Sequence, residues 1–245
     1  MLRLRVTSCW MVFVFAILFA HSLPSLSYAA SSGSDLQVQG KSRVAVPGRI
    51  VFTGSSSIAY WDTLSNDMKP LTVVNSAFGG AEYRDLLDRL DELVITYRPS
   101  AVVVYAGDND LAAGSGKTPQ GVAADVQQFV TTVQSKLPGT WVYVLSIKPS
   151  LARWNSWHKM KDANQLIEGF LRTRERTQFI DVARLMLDAN GNLPRDLFVS
   201  DGLHPSAKCY ALWTALIRPV LLERFGPPKN SSVPPASRTT VVSVN

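Results

Sequence analysis

The sequence predicts an α/β fold, a parallel five-stranded sheet with helices on both faces. Two observations carry this. Short runs rich in Val, Ile and aromatics, each bounded by turn residues, alternate along the chain with segments whose apolar residues recur at helical period. Strand, helix, strand repeated in this way means parallel strands joined by crossovers that cover the sheet. In addition, 245 residues, 46% hydrophobic and 18% charged, suit one domain with a sizeable core and are thin for two.

Taken in order, the candidate strands are Arg49–Thr53, Thr72–Asn75, Ala101–Ala106, Trp141–Ser146 and Gln178–Asp181. A helix is expected after the second, with Leu86, Leu87, Leu90, Leu93, Val94 and Tyr97 on one face. Val122, Val126, Phe129, Val130, Val133 and Leu137 define the next. Ala163, Leu166, Ile167, Phe170 and Leu171 define a third, and a last helix runs from about Ser206 to Phe225, with a kink expected at Pro219.

The flanks read differently. Residues 1–29 resemble a secretory signal: Arg3 and Arg5 lead an apolar run from Trp10 to Ala20, and Ser27-Tyr28-Ala29 offers small residues for cleavage. The run is short for a membrane span, which needs ~20 residues. Residues 30–44 read as a flexible linker, 45–226 as the folded domain and 227–245 as a disordered tail rich in Pro, Ser and Thr. The expected address is secreted or periplasmic, with no stable membrane insertion after signal removal. Cys9 would leave with the signal and Cys209 would remain alone, so no intrachain disulfide is expected. Asn230-Ser231-Ser232 forms a glycosylation sequon. The formal charge is +6, but Arg3 and Arg5 lie in the removable segment and the other basic residues are scattered, which argues against nucleic-acid binding.

In a parallel sheet of this kind the chemistry gathers at the carboxyl ends of the strands. The first strand ends in Gly54-Ser55-Ser56-Ser57, where a serine can be presented at a strand-to-helix turn, or can simply cap the helix. The second runs into Gly79-Gly80, and the third into Gly107-Asp108-Asn109-Asp110, whose Asn could donate an amide or make a turn. Of the three histidines, His21 lies in the signal and His158 has no acidic residue within three positions. His204 follows Asp201 by three residues with Gly202 between, so Asp201 can fold back and orient one ring nitrogen while the other stays free as a base. The order Ser, Asp, His fits convergent catalytic triads.

These blocks resemble the SGNH (GDSL-type) hydrolase family over about residues 49–225. Gly54-Ser55-Ser56 matches its first block, Gly80 its second, Gly107-x-Asn109-Asp110 its third and Asp201-x-x-His204 its last. The first block departs from the family: Ser55 stands in place of Asp, and Ser57 in place of the Leu that follows the nucleophile. The resemblance implies a three-layer flavodoxin-like fold and metal-independent hydrolysis of esters and thioesters. It also implies Ser56, Asp201 and His204 as catalytic residues, with the Ser56 and Gly80 N–H groups and the Asn109 amide forming an oxyanion hole. No cofactor and no metal site is expected. The expected reaction is cleavage of a carboxylic, short-acyl ester through an acyl-enzyme, on a small-molecule, polysaccharide or lipid carrier. Lysophospholipase or thioesterase activity is the alternative, and a non-catalytic carbohydrate- or surface-binding domain a further one. Trp154 and Trp157, after the fourth strand, are candidates for the substrate pocket. Ala113-Gly114-Ser115-Gly116-Lys117-Thr118 ends like a phosphate loop but carries Leu111 where that motif needs its first Gly.

Overall fold

The computed structural model describes residues 48–227, so the expected signal, the linker and all of the tail beyond its first residue, with the Asn230 sequon, lie outside the described residues. Five strands, β1 (Ile50–Gly54), β2 (Val73–Asn75), β3 (Ala101–Tyr105), β4 (Trp141–Leu145) and β5 (Thr177–Ile180), form one sheet in the order β2-β1-β3-β4-β5. Every neighbouring pair is parallel, with Ile50 beside Val73 and Ala101, Ala101 beside Trp141, and Val142 beside Thr177. This is the flavodoxin-like order, and its switch point falls between the carboxyl ends of β1 and β3.

Side chains alternate across the sheet, so each face builds its own core. Val102, Val104, Val142 and Val144 pack against α3 (Tyr83–Asp88), α4 (Leu90–Leu93), α5 (Pro119–Lys136) and α6 (Trp157–Leu171). Ile50, Phe52, Val103, Tyr105, Tyr143 and Leu145 pack against α1 (Ser56–Ala59), α2 (Leu64–Asp67) and α7 (Ala207–Phe225). Trp61 and Trp213 are among the largest buried side chains there, with ring centroids 6.0 Å apart. The expected three layers are present.

Local sequence sets the helix starts. Pro119 occupies the first turn of α5, and the Thr118 hydroxyl accepts from the Gly121 N–H at 3.1 Å. The Ser206 hydroxyl caps α7 by accepting from Cys209 N–H at 3.4 Å. Two expectations need correction. The helix read over residues 86–97 is broken: Arg89 leaves helical geometry (φ −109°, ψ 17°) and turns its guanidinium onto the Phe78 ring and Glu92, and residues 95–97 form a 3₁₀ turn. Leu86, Leu90, Leu93 and Val94 are buried all the same, because packing rather than helix continuity directs them inward. On α6 the buried stripe is Met160, Ala163, Ile167 and Leu171, which leaves Leu166 at its rim, 41% exposed. The last helix, α7, spans Ala207–Phe225 with Pro219 inside it.

Candidate active site

The strand ends converge as expected. At the end of β1, Gly54 has φ +131°, and a Cβ there would lie 1.8 Å from the Tyr105 carbonyl oxygen on β3. Only glycine lets the two strands close while the chain turns away from the sheet. The Ser55 N–H then donates to that same Tyr105 oxygen at 2.8 Å, and Ser56 opens α1. The three consecutive serines separate sharply: Ser55 and Ser57 are buried at 0% and 1% exposure, whereas Ser56 is partly exposed. Because α1 is a single turn of four residues, its dipole adds little, and any anion at Ser56 must be met by individual donors. Among the described residues, the N–H groups of Ser56 and Gly80 donate to no protein acceptor.

The second loop runs between Phe198 and Pro205, which pair as an isolated antiparallel bridge. Within it Asp201 Oδ1 accepts from the backbone N–H of Leu203 at 2.8 Å and of His204 at 3.0 Å. These bonds fold the loop back so that Asp201 Oδ2 lies 2.6 Å from His204 Nδ1. On the far side of the ring, His204 Nε2 is 2.9 Å from Ser56 Oγ. An ionised carboxylate only accepts, so Nδ1 carries the ring proton and Nε2 accepts from the Ser56 hydroxyl. Burial pulls the Asp201 carboxyl upward, but the His204 ring and the Leu203 and His204 N–H groups together outweigh it and hold it at about 2. Asp201 is therefore charged across the neutral range.

The third loop follows β3. Gly107 has φ +107°, and a Cβ there would meet the Ile147 side chain at 2.6 Å. Asn109 comes next to Ser56's turn: its Nδ2 donates to Ser55 Oγ at 2.8 Å and to the Ala81 carbonyl at 3.0 Å. The loop is anchored by Asp110, fully buried, which accepts from the Tyr83 N–H and pairs with Lys117 at 2.8 Å. Lys117 also holds Glu82 and Asp125, each at 3.2 Å. Its ammonium is thus committed to three carboxylates, and the phosphate-loop-like stretch serves as a brace.

Several residues at the site carry no sequence motif. The Tyr60 ring lies 5.0 Å from the His204 ring and is exposed at 54%. Arg153 donates to Asn109 Oδ1 at 2.8 Å, and the buried Lys148 donates to the Leu203 carbonyl at 2.9 Å. The two candidate tryptophans diverge. Trp154 is exposed at 42% in the loop after β4. Trp157 opens α6 and packs against the core on that face, lining a groove with Lys161, Asn164, Phe179 and Arg184, none of which contributes to the Ser56 site. Its phase with Met160 and Ala163 turns it inward. Among the described residues, no group of three or more His, Cys, Asp or Glu side chains converges as a metal site.

Comparison with known proteins identifies the family and the fold. A sequence model of the GDSL-like lipase/acylhydrolase family matches residues 27–212. The chain belongs to that family, and with it to the hydrolases that act on esters. Solved structures with the same fold include a GDSL-like lipase from Bacteroides thetaiotaomicron (21% identity, TM-score 0.63, covering 72% of this chain and 88% of that one). They also include a lipase/acylhydrolase from Enterococcus faecalis (19% identity, TM-score 0.55, 73% and 95%). A third is a catalytic mutant of an acetylxylan esterase from Geobacillus stearothermophilus (16% identity, TM-score 0.57, 75% and 96%). A search of curated protein sequences found no match.

Proposed function

We propose that this chain hydrolyses short-acyl carboxylic esters through an acyl-enzyme formed on Ser56. The observation that carries the reading is the continuous hydrogen-bonded line from Asp201 through His204 to the one accessible serine of three. His204 Nε2 takes the Ser56 proton as Oγ attacks the carbonyl carbon, and Asp201 fixes the tautomer and stabilises the charged ring. The carbonyl oxygen, now an anion, receives the free N–H groups of Ser56 and Gly80. Asn109 Nδ2 joins them by exchanging its bond to Ser55 Oγ for the substrate oxygen. His204 then protonates the leaving alcohol, and a water activated by the same ring releases the acid.

Among the described residues, no long apolar segment stands apart to close as a lid over a fatty acyl group, and this favours short acyl chains. The likeness in fold to an acetylxylan esterase makes acetylated glycans the first carriers to try. The N-terminal segment supports export, which N-terminal sequencing of the secreted protein tests: a start at Ala30 is expected, and an intact Met1 would refute it. The activity is tested with p-nitrophenyl esters from acetyl to decanoyl. Turnover highest with acetyl or butyryl, and lost in Ser56→Ala and His204→Ala, is expected. Undiminished turnover in Ser56→Ala would overturn the assignment.

A further inference from the structure

We infer that Arg153 is a positioning residue that orients and polarises the Asn109 amide for the developing oxyanion. The inference rests on the reading of Asn109 as an oxyanion donor.

An asparagine amide is nearly symmetric in shape, so packing alone does not decide whether its nitrogen or its oxygen faces a given neighbour. Here two one-way partners decide it. The Ala81 carbonyl can only accept, and takes Nδ2 at 3.0 Å. The Arg153 guanidinium can only donate, and meets Oδ1 at 2.8 Å. If the amide turned over, its oxygen would face the Ala81 carbonyl and its nitrogen the guanidinium, losing both bonds. Arg153 thereby keeps Nδ2 directed at Ser55 and the mouth of the Ser56 site.

The charge of Arg153 matters as well as its shape. Among the described residues the carboxylate that pairs with it is Asp108, which is 4% exposed and shared: Lys148 Nζ lies 3.3 Å and Arg153 Nη1 3.2 Å from the same Oδ2. Nη1 makes that contact without hydrogen-bond alignment. Two cations around one carboxylate leave one positive charge in excess, and it is the Arg153 guanidinium that touches Asn109 Oδ1. Donation from a cation into Oδ1 draws electron density away from Nδ2 and makes its hydrogens stronger donors. That strengthening is worth most when the acceptor is an anion, which is the case in the transition state and not in the bound ester.

The backbone holds Arg153 in register with the base. Ala152 N–H donates to the Gly202 carbonyl at 3.0 Å, and Leu151 packs against Gly202, so the segment carrying Arg153 is fastened to the Asp201–His204 turn. Lys148, from the same segment, reaches the Leu203 carbonyl.

The test is steady-state hydrolysis of p-nitrophenyl acetate by the full chain and by Arg153→Met, Arg153→Lys, Asn109→Ala, Arg153→Met/Asn109→Ala and Ser56→Ala, with thermal melts of each. Asn109→Ala should lower kcat by ~10²–10³-fold, and Arg153→Met by roughly tenfold to a hundredfold with KM changed less than about threefold. Arg153→Lys, which keeps the charge and loses the fork, should fall between the full chain and Arg153→Met at an unchanged melting temperature. On the Asn109→Ala background, Arg153→Met should change kcat less than about twofold, because Arg153 acts through the amide. Equal losses on both backgrounds, an unchanged kcat in Arg153→Met, or a loss confined to KM would overturn the inference. Wild-type kcat in Asn109→Ala with none in Ser56→Ala would overturn it while sparing the serine mechanism. Retained turnover in Ser56→Ala would mark failure of the serine mechanism itself. If Arg153→Met does not fold, Arg153→Lys decides alone: wild-type kcat overturns the inference, and a loss abolished on the Asn109→Ala background supports it.

Discussion

Replacing Gly54 with alanine tests whether the turn that presents Ser56 depends on the absence of one methyl group. The added Cβ would lie 1.8 Å from the Tyr105 carbonyl oxygen, 2.7 Å from its carbon and 2.9 Å from its nitrogen, all backbone atoms of the central strand β3. Nothing flexible can yield, so β1 must separate from β3 by more than 1 Å. Three costs follow. A non-glycine residue at φ +131° stores about 1–3 kcal/mol. Overpacking against rigid backbone adds about 1–3 kcal/mol. Loss of the 2.8 Å Ser55 N–H bond to Tyr105 adds about 1 kcal/mol. The total, about 3–7 kcal/mol, corresponds to a fall in Tm of at least ~6 °C for a domain of this size. Gly191→Ala is the control, since Gly191 has φ +78° but open space around it, and should lose only the backbone strain. Differential scanning calorimetry of the two variants separates the contributions. A Gly54→Ala melt no lower than that of Gly191→Ala would refute the steric argument.

Three further outcomes are expected. Lys117→Met leaves the fully buried Asp110 without its cation, and should cost about 2–4 kcal/mol in urea unfolding, somewhat under a fully buried pair because Lys117 keeps 26% exposure; a change under ~0.5 kcal/mol would contradict the brace. Asp201→Asn puts a donor opposite His204 Nδ1 and favours the wrong tautomer, so kcat should fall by ~10⁴-fold with the melting temperature nearly unchanged; since the carboxyl lies at about 2, wild-type activity between pH 4 and 8 should show no inflection from this group. Its depressed value also means that whatever stability Asp201 adds is present above about pH 4 and lost as the pH falls through about 2. Cys209 is fully buried and burial pushes its thiol up to about 12, so thiol reagents should label it only on unfolding, and rapid labelling of the native protein would contradict that burial.

The parts of the site written in contiguous residues were legible in the sequence, because the fold fixes them locally. Gly54 to Ser56, Gly107 to Asn109 and Asp201 to His204 each sit at one strand end or in one turn, and parallel strands bring those ends together whatever lies between. Local pattern alone does not say which of three adjacent serines faces the base; register against the family's first block points to Ser56, while the physical selection depends on how Gly54 closes against Tyr105 on another strand. Arg153, Lys148 and Tyr60 were missed for the same reason: each acts on a residue far away in the chain, and no local pattern marks an arginine as the partner of an asparagine. The inward turn of Trp157 was available from its spacing to Met160 and Ala163, had the helix been started at the tryptophan. The break at Arg89 had no signal in apolar spacing, which continues unbroken through it.

The central claim is that Ser56, activated by His204, is the atom that carries the acyl group, and covalent trapping tests it most directly. The full chain is treated with a small alkyl fluorophosphonate, and the modified residue is located by fragmentation mass spectrometry. One adduct on Ser56 Oγ, absent in Ser56→Ala and formed at least 10²-fold more slowly in His204→Ala, is the expected result. An adduct on Ser55 or Ser57, or labelling of Ser56 at the same rate without His204, would contradict the account.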